Sequence, residues 1–293
     1  MIYAVSVAAL SFAPAGVRPG HSKLSPKMAD IGQDGNFDQK PWTTSEISDE
    51  TGMKELAMKL NPSVGFWDPL GIVSADTMPE TIGWFRHAEI KHGRVAMAAF
   101  VGYCVQYNGF YWPWNLQGPL PGGLNANTPV ITFGDISAAG GPADQWDALP
   151  TAAKIQILGF VAFLEVWSEF PENLKQAGTV HYVRGGKPGV FPSFENNPHP
   201  VPLNLWDPFG FTKKLSPERK EKALLAEVNN GRLAMIGIFG LISASKGLIV
   251  PGLDSLGIKP YAGEVMAPFS STNADLSFVP EMMGLVGNLG YKI

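Results

Sequence analysis

Cysteine is almost missing from this chain: Cys104 is the single one in 293 residues, so no internal disulfide and no multi-cysteine metal site can form. Charge is scarce as well, at 16% Asp, Glu, Lys and Arg against 45% hydrophobic residues, with a formal net charge of -4. No basic cluster with interleaved aromatics occurs, and nucleic acid is excluded as a partner. There is no Ser-His-Asp order, Cys-His pair, phosphate-binding glycine loop or zinc-type spacing, so no enzyme chemistry is expected. The first apolar segment lacks 18 uninterrupted apolar residues, and plain hydropathy leaves it ambiguous as a membrane span. The stretch 108–150 has neither Lys nor Arg.

What the chain does have is a duplication. Glu89-Ile90-Lys91-His92-Gly93-Arg94-Val95-Ala96-Met97 returns as Glu227-Val228-Asn229-Asn230-Gly231-Arg232-Leu233-Ala234-Met235, 138 positions on (227 against 89). The lead-in is repeated too, at an offset of 139 (206 against 67): Trp67-Asp68-Pro69 precedes the first box and Trp206-Asp207-Pro208 the second. A nearly shared offset across two blocks marks duplication of a loop-plus-helix unit.

On a helix, Glu89 faces with His92 and Glu227 with Asn230, each pair three residues apart. Arg94 and Arg232 fall about 140° around the helix from their own Glu and need partners elsewhere. The symmetric solution in a bilayer, where an isolated charge is costly, pairs Glu89 with Arg232 and Glu227 with Arg94. Gly93, Ala96, Gly231 and Ala234 are small enough to let the two backbones approach at a crossing. One oxygen of each Glu then stays available for a hard, oxygen- or nitrogen-seeking ion such as Mg²⁺. A Mg²⁺ already held by four equatorial nitrogens needs one axial ligand, so single spaced ligands on apolar helices point to chlorophyll.

With these residues in view, the chain over about residues 60–250 resembles the light-harvesting chlorophyll-binding antenna family, which carries a Glu-x-x-[His/Asn]-x-Arg box in two of three membrane helices. The resemblance implies that Glu89, His92, Glu227 and Asn230 ligate chlorophyll magnesium and that Arg94 and Arg232 form crossed ion pairs. It implies carotenoids beside the crossing, their end groups held by the loops of Trp67, Asp68, Pro69, Trp206, Asp207 and Pro208; membrane-interface anchoring is the simpler use of the two Trp. The family's middle helix carries a Gln and a Glu ligand. Gln156 and Glu165 match by type, at a spacing of nine where eight is the family's, and Glu169 is the rival to Glu165. The family's Gln fourteen residues after the Asn is Ala244 here.

The expected fold is an all-α integral membrane protein with three transmembrane helices, the first and third related by pseudo-twofold symmetry and crossing through the Glu-Arg pairs, plus a short C-terminal amphipathic helix. Residues 1–28 read as a plastid-targeting presequence or N-terminal extension, resembling the bipartite presequences of algae with secondary plastids around Phe12-Ala13-Pro14. Residues 29–80 form a segment and loop that include a short amphipathic helix at Asp49 to Leu60. The three spans fall at 81–106, 151–170 and 217–249. Between them lie a Gly/Pro-rich loop at 107–150 and a basic loop at 171–216, and 250–293 closes the chain with an amphipathic helix near Asp275 to Tyr291. His21, His87, His181 and His199, outside the boxes, read as solvated. Lys175, Arg184, Lys187 and Lys213 to Lys222 against the Lys/Arg-free 107–150 loop predict a stromal N-terminus and a lumenal C-terminus in a plastid thylakoid membrane.

The function expected is light capture, with excitation passed to a photosystem core, I or II, beside neighbouring antenna subunits and membrane lipids. The expected cofactors are chlorophyll a, an accessory chlorophyll (c rather than b), fucoxanthin- or peridinin-type carotenoids, xanthophyll-cycle carotenoids and thylakoid lipids. Two other readings are an energy-dissipating relative, sensing acid through lumenal carboxylates such as Asp135, Asp144 and Asp147, and a small proton-coupled transporter.

Overall fold

The computed structural model describes residues 46–119, 127–194, 207, 209–246 and 261–266. The expected presequence, Trp206, Pro208 and the helix near Asp275 to Tyr291 lie outside them.

The described chain is helical. Helix α1, Glu50–Leu60, starts where the Asp49 side chain accepts from the Gly52 N–H at 2.8 Å. Helix α2, Pro79–Tyr107, has Pro at its first position, where a missing N–H costs nothing, and Glu80 in its first turn, favourable against the helix dipole. The stretch expected as a plain loop has order of its own. Strands β1 (Asn115–Gln117) and β2 (Ile131–Thr132) pair antiparallel, and short helices α3 (Phe133–Ser137) and α4 (Pro142–Ala148) follow. A capping box starts α3: Thr132 Oγ1 accepts from Asp135 N–H, and the Asp135 carboxylate accepts from Thr132 N–H and hydroxyl. Those Thr132 donors hold Asp135 below its ordinary pKa, backbone first. A Thr-x-x-Asp box is a four-residue signal, easily lost among 25 prolines and 33 glycines.

Helix α5, Thr151–Glu169, stops before Pro171, which opens the short α6, Pro171–Gln176. Two 3-10 turns, Tyr182–Arg184 and Phe211–Lys214, lie before α7, Pro217–Lys246. Among the described helices only α5 is long and apolar enough to cross a membrane by length and composition. Helices α2 and α7 are longer, at 29 and 30 residues, but both carry charges throughout their first halves.

The architecture is set by α2 crossing α7. Gly93 stands fourteen residues from each end of α2 (79 and 107), and Gly231 fourteen and fifteen from the ends of α7 (217 and 246). A Cβ added at Gly93 would meet Gly231 Cα at 3.0 Å, and one at Gly231 would meet Gly93 Cα at 2.9 Å. The contact is the same from either side, and only glycine permits it. Helix α1 leans on α7, with Asn229 Nδ2 donating to the Leu60 carbonyl at 3.0 Å. Helix α4 reaches both long helices, through Gln145 Nε2 donating to the Gln106 carbonyl at 3.2 Å and through an Asp144–Lys246 ion pair. Little of this is a hydrophobic core. Ile82 is wholly buried, whereas Val95, Leu233 and Ile236 on the crossing helices, and Ile155, Phe160 and Val166 on α5, are exposed.

Candidate functional site

The repeated loops fold alike. Asp68 accepts from the backbone N–H of Ile72 and Val73, four and five residues on, at 3.1 and 2.9 Å. Asp207 accepts from those of Phe211 and Thr212 at 2.7 and 2.9 Å. Gly71 (φ 59°) and Gly210 (φ 67°) supply the left-handed residue that lets each loop turn back on its Asp. The N–H donors of Val73 and then Ile72 hold the Asp68 carboxylate below its ordinary pKa. Trp67 is 77% exposed.

At the crossing, Arg94 Nε lies 2.5 Å from Glu227 Oε1 and Arg232 Nε lies 2.6 Å from Glu89 Oε1. Each Arg–Glu bond joins one Nε to one carboxylate oxygen, and Oε2 of each Glu has no hydrogen-bond partner among the described residues. One turn on, His92 Nδ1 sits 2.7 Å from the Ala88 carbonyl. A carbonyl only accepts, so Nδ1 carries a proton and donates, and Nε2 is the ring nitrogen left for another partner. His92 and Asn230 are both exposed, among exposed Val95 and Leu233.

The two repeats differ in their surroundings. Arg94 Nη1 also donates to the Gly189 carbonyl at 2.5 Å, and the Gly189 N–H donates to His87 Nδ1 at 3.1 Å, so one residue of the loop after α6 is held at both its polar groups by α2. His87 is therefore buried, 6% exposed, and its ring stacks on Tyr182 at 3.8 Å, correcting the expectation of a solvated residue. His87 lies two residues before the Glu, about 200° around the helix, on the face that the returning loop covers. His181 is likewise half-buried, 3.4 Å from Glu169, not solvated. Burial first, then the hydrogen bond to Glu169, raises the Tyr182 hydroxyl's pKa, so it stays protonated and donates to that carboxylate at 2.9 Å. His21 and His199 lie outside the described residues.

On α5, Gln156 and Glu165 do not come together. Nine residues on a helix are about 180° around the axis, so the two face opposite sides. Gln156 is exposed on its apolar surroundings. Glu165 Oε2 receives Lys91 Nζ of α2 at 2.7 Å, whereas Glu169 accepts from Tyr182 and lies 3.8 Å from Lys91. Lys91 stands inside the repeated box without a role there, His87 was expected to be solvated, and nothing in the sequence marks Tyr182 or Gly189. Only Lys91 had a hint: two residues past Glu89, it points about 160° away from the crossing.

The donor set fits a magnesium macrocycle. It consists of neutralised carboxylates with a spare oxygen, a histidine with a fixed free nitrogen and exposed amides, each beside bare apolar helix surface that a flat hydrophobic ring would cover. The profile of the family described as Chlorophyll A-B binding protein matches residues 53–246. Similar relatives include fucoxanthin-chlorophyll a-c binding protein D, chloroplastic, of Macrocystis pyrifera, 32% identical over 188 residues, 64% of this chain and 84% of the relative. Another is the fucoxanthin-chlorophyll a-c binding protein, chloroplastic, of Trieres chinensis, 35% identical over 191 residues, 64% of this chain and 77% of the relative. A third is protein F of that name from Phaeodactylum tricornutum, 31% identical over 193 residues, 66% of this chain and 79% of the relative. With the profile spanning both boxes and the helix between them, the chain belongs to the chlorophyll A-B binding protein family.

Proposed function

We propose that this chain is a light-harvesting antenna of the plastid thylakoid, holding chlorophyll a, chlorophyll c and a fucoxanthin-type carotenoid, and that it has no catalytic role. Helices α2, α5 and α7 cross the membrane, with the N-terminal segment and the 171–216 loop on the stromal side and 107–150 and 250–293 on the lumenal side. It serves a photosystem core and touches neighbouring antenna subunits.

The observation that carries this reading is the reciprocal pair of carboxylates, each neutralised through one oxygen and open at the other. Glu89, His92, Glu227 and Asn230 would each hold a chlorophyll magnesium at the crossing, and Gln156 and Glu165 would do so on α5. When bound, chlorophyll supplies absorption and excitation transfer. The protein fixes where each ligand stands: Arg94 and Arg232 cancel the charge of the carboxylates, Ala88 fixes the His92 tautomer, and Gly93 and Gly231 set how closely the two ligand-bearing helices pass. Asn and Gln facing lipid without a partner would be costly, so pigment completes the fold.

The test is a fluorescence excitation spectrum with pigment extraction on the complex in mild detergent, for wild type and His92→Leu. Chlorophyll a emission excited through chlorophyll c and carotenoid bands is expected, with one chlorophyll fewer per polypeptide in His92→Leu. A colourless folded protein would sink the antenna reading, and chlorophyll b in place of c would overturn the pigment class.

A further inference from the structure

We propose that Lys91 is the counter-charge and positioning residue for the middle-helix chlorophyll ligand, and that this ligand is Glu165 rather than Glu169. The inference rests on the antenna reading above.

Lys91 cannot serve the crossing. It stands two residues past Glu89, so its side chain leaves α2 on the far side from Glu227 and Arg232. There Nζ lies 2.7 Å from Glu165 Oε2, 3.5 Å from Ser168 Oγ and 3.8 Å from Glu169 Oε1. The geometry repeats what each Arg does at the crossing: a cation on one helix takes one oxygen of a carboxylate on another and leaves the second oxygen open. Glu165 Oε1 has no hydrogen-bond partner among the described residues. Glu169 does not have that freedom, because Oε1 accepts from the Tyr182 hydroxyl at 2.9 Å and Oε2 lies 3.4 Å from His181 Nε2. A carboxylate on magnesium in a low-dielectric layer adds a net negative charge unless a cation stands beside it. Lys91 supplies that cation from a different helix, so binding at α5 depends on α2.

The duplication gives an independent sign that this helical position ties down a neighbour. The residue 138 positions after Lys91 is Asn229, which donates to Leu60 of α1 at 3.0 Å. The same site on each long helix thus reaches a third element, a carbonyl in one repeat and a charged ligand in the other. No other contact the structure describes between α2 and α5 has a full charge on both partners.

The experiment compares Lys91→Met, Lys91→Arg, Glu165→Ala and the double variant Lys91→Met/Glu165→Ala with wild type, reconstituted with chlorophyll a, chlorophyll c and carotenoid. Chlorophyll per polypeptide and the red-band absorption difference spectrum are read for each. Lys91→Met should lose the same single chlorophyll as Glu165→Ala, with the same difference spectrum, the double variant should lose nothing further, and Lys91→Arg should keep the full complement. A Lys91→Met complex with all its chlorophyll and an unchanged red band, lowered only in melting temperature, would overturn the proposal. If Lys91→Met does not assemble, the swap Lys91→Glu/Glu165→Lys retains an ion pair and removes the ligand. It should assemble one chlorophyll short, and a full complement would overturn the proposal. Wild type that takes up no chlorophyll would instead refute the antenna function itself.

Discussion

The α2/α7 crossing and helix α5 are built on opposite terms. At the crossing, protein meets protein: backbone touches backbone at Gly93 and Gly231, and two ion pairs flank the contact. Helix α5 has one buried residue, Ser168, and presents most of its apolar side chains to the surroundings, its charged link to α2 being Lys91 with Glu165 and Glu169. The same chain therefore stabilises one helix pair by its own contacts and leaves a third helix to be completed by what covers it. Lipid and pigment rings are interchangeable with leucine as apolar surroundings, so α5 needs no protein neighbour to stay helical in a bilayer.

That contrast is broken most directly at the glycines. Gly93→Leu drives a side chain into Gly231 backbone, which no rotamer change relieves, and the cost is at least the ~1–3 kcal/mol of ordinary overpacking. Loss of most of the pigmented complex on reconstitution is expected, measured as yield and melting temperature, whereas Gly159→Leu on α5, where nothing lies within 4 Å of an added Cβ, should be tolerated. Equal loss from both would erase the distinction between the two regions.

A smaller effect is expected at the ion pairs. Glu227→Gln takes the Glu227 carboxylate charge from Arg94, which keeps its Gly189 bond. Because the pair is partly exposed, the cost should fall below the ~3–5 kcal/mol of a fully buried pair, near 1–2 kcal/mol. Thermal melting followed by circular dichroism reads it. Reversing both partners, Glu227→Arg with Arg94→Glu, should recover part of the loss, and no recovery would mean that the pair acts through geometry rather than charge.

The smallest effect concerns the loop before α2. Asp68 has a depressed pKa, so the order it gives is fully present above the ordinary carboxylate value of 3.8 and is lost as pH falls through the lower folded value. The protection factors of the Ile72 and Val73 amides, which are corrected for the intrinsic pH dependence of exchange, should not change from neutral pH down to about 4. Asp68→Asn should lower that protection throughout the range in which the carboxylate is ionised. Loosening of wild type between pH 6 and 5 would show that another group controls the loop.

Much of the crossing was legible because it was written twice. A Glu with a His or Asn one turn on, an Arg that its own helix cannot satisfy and a small residue between them have few solutions, and a second copy supplies the partners. The Asp68 and Asp207 loops were legible for the same reason. His87, Gly189 and Tyr182 were not: the loop of 178–194 has no periodicity, and what it covers depends on where α6 sends the chain after Pro171. His87 shows the limit well, a polar residue beside charges in sequence that becomes buried once a glycine N–H arrives from 102 residues away. Glu165 and Glu169 could not be told apart in the sequence, because what separates them is which carboxylate Tyr182 occupies.

The glycine contact also makes the two long helices a pair of levers on one pivot. Each arm is fourteen or fifteen residues, about 21 Å at 1.5 Å per residue, so opening the crossing by ten degrees moves an arm's tip by almost 4 Å. The ion pairs sit within four residues of the pivot and have little leverage over that angle. Leverage belongs to α4, which bonds Gln106 near the tip of one arm through Gln145 and Lys246 at the tip of the other through Asp144. A seven-residue crossbar joining the two arms thus braces the scissor angle, and with it the spacing of whatever the arms carry.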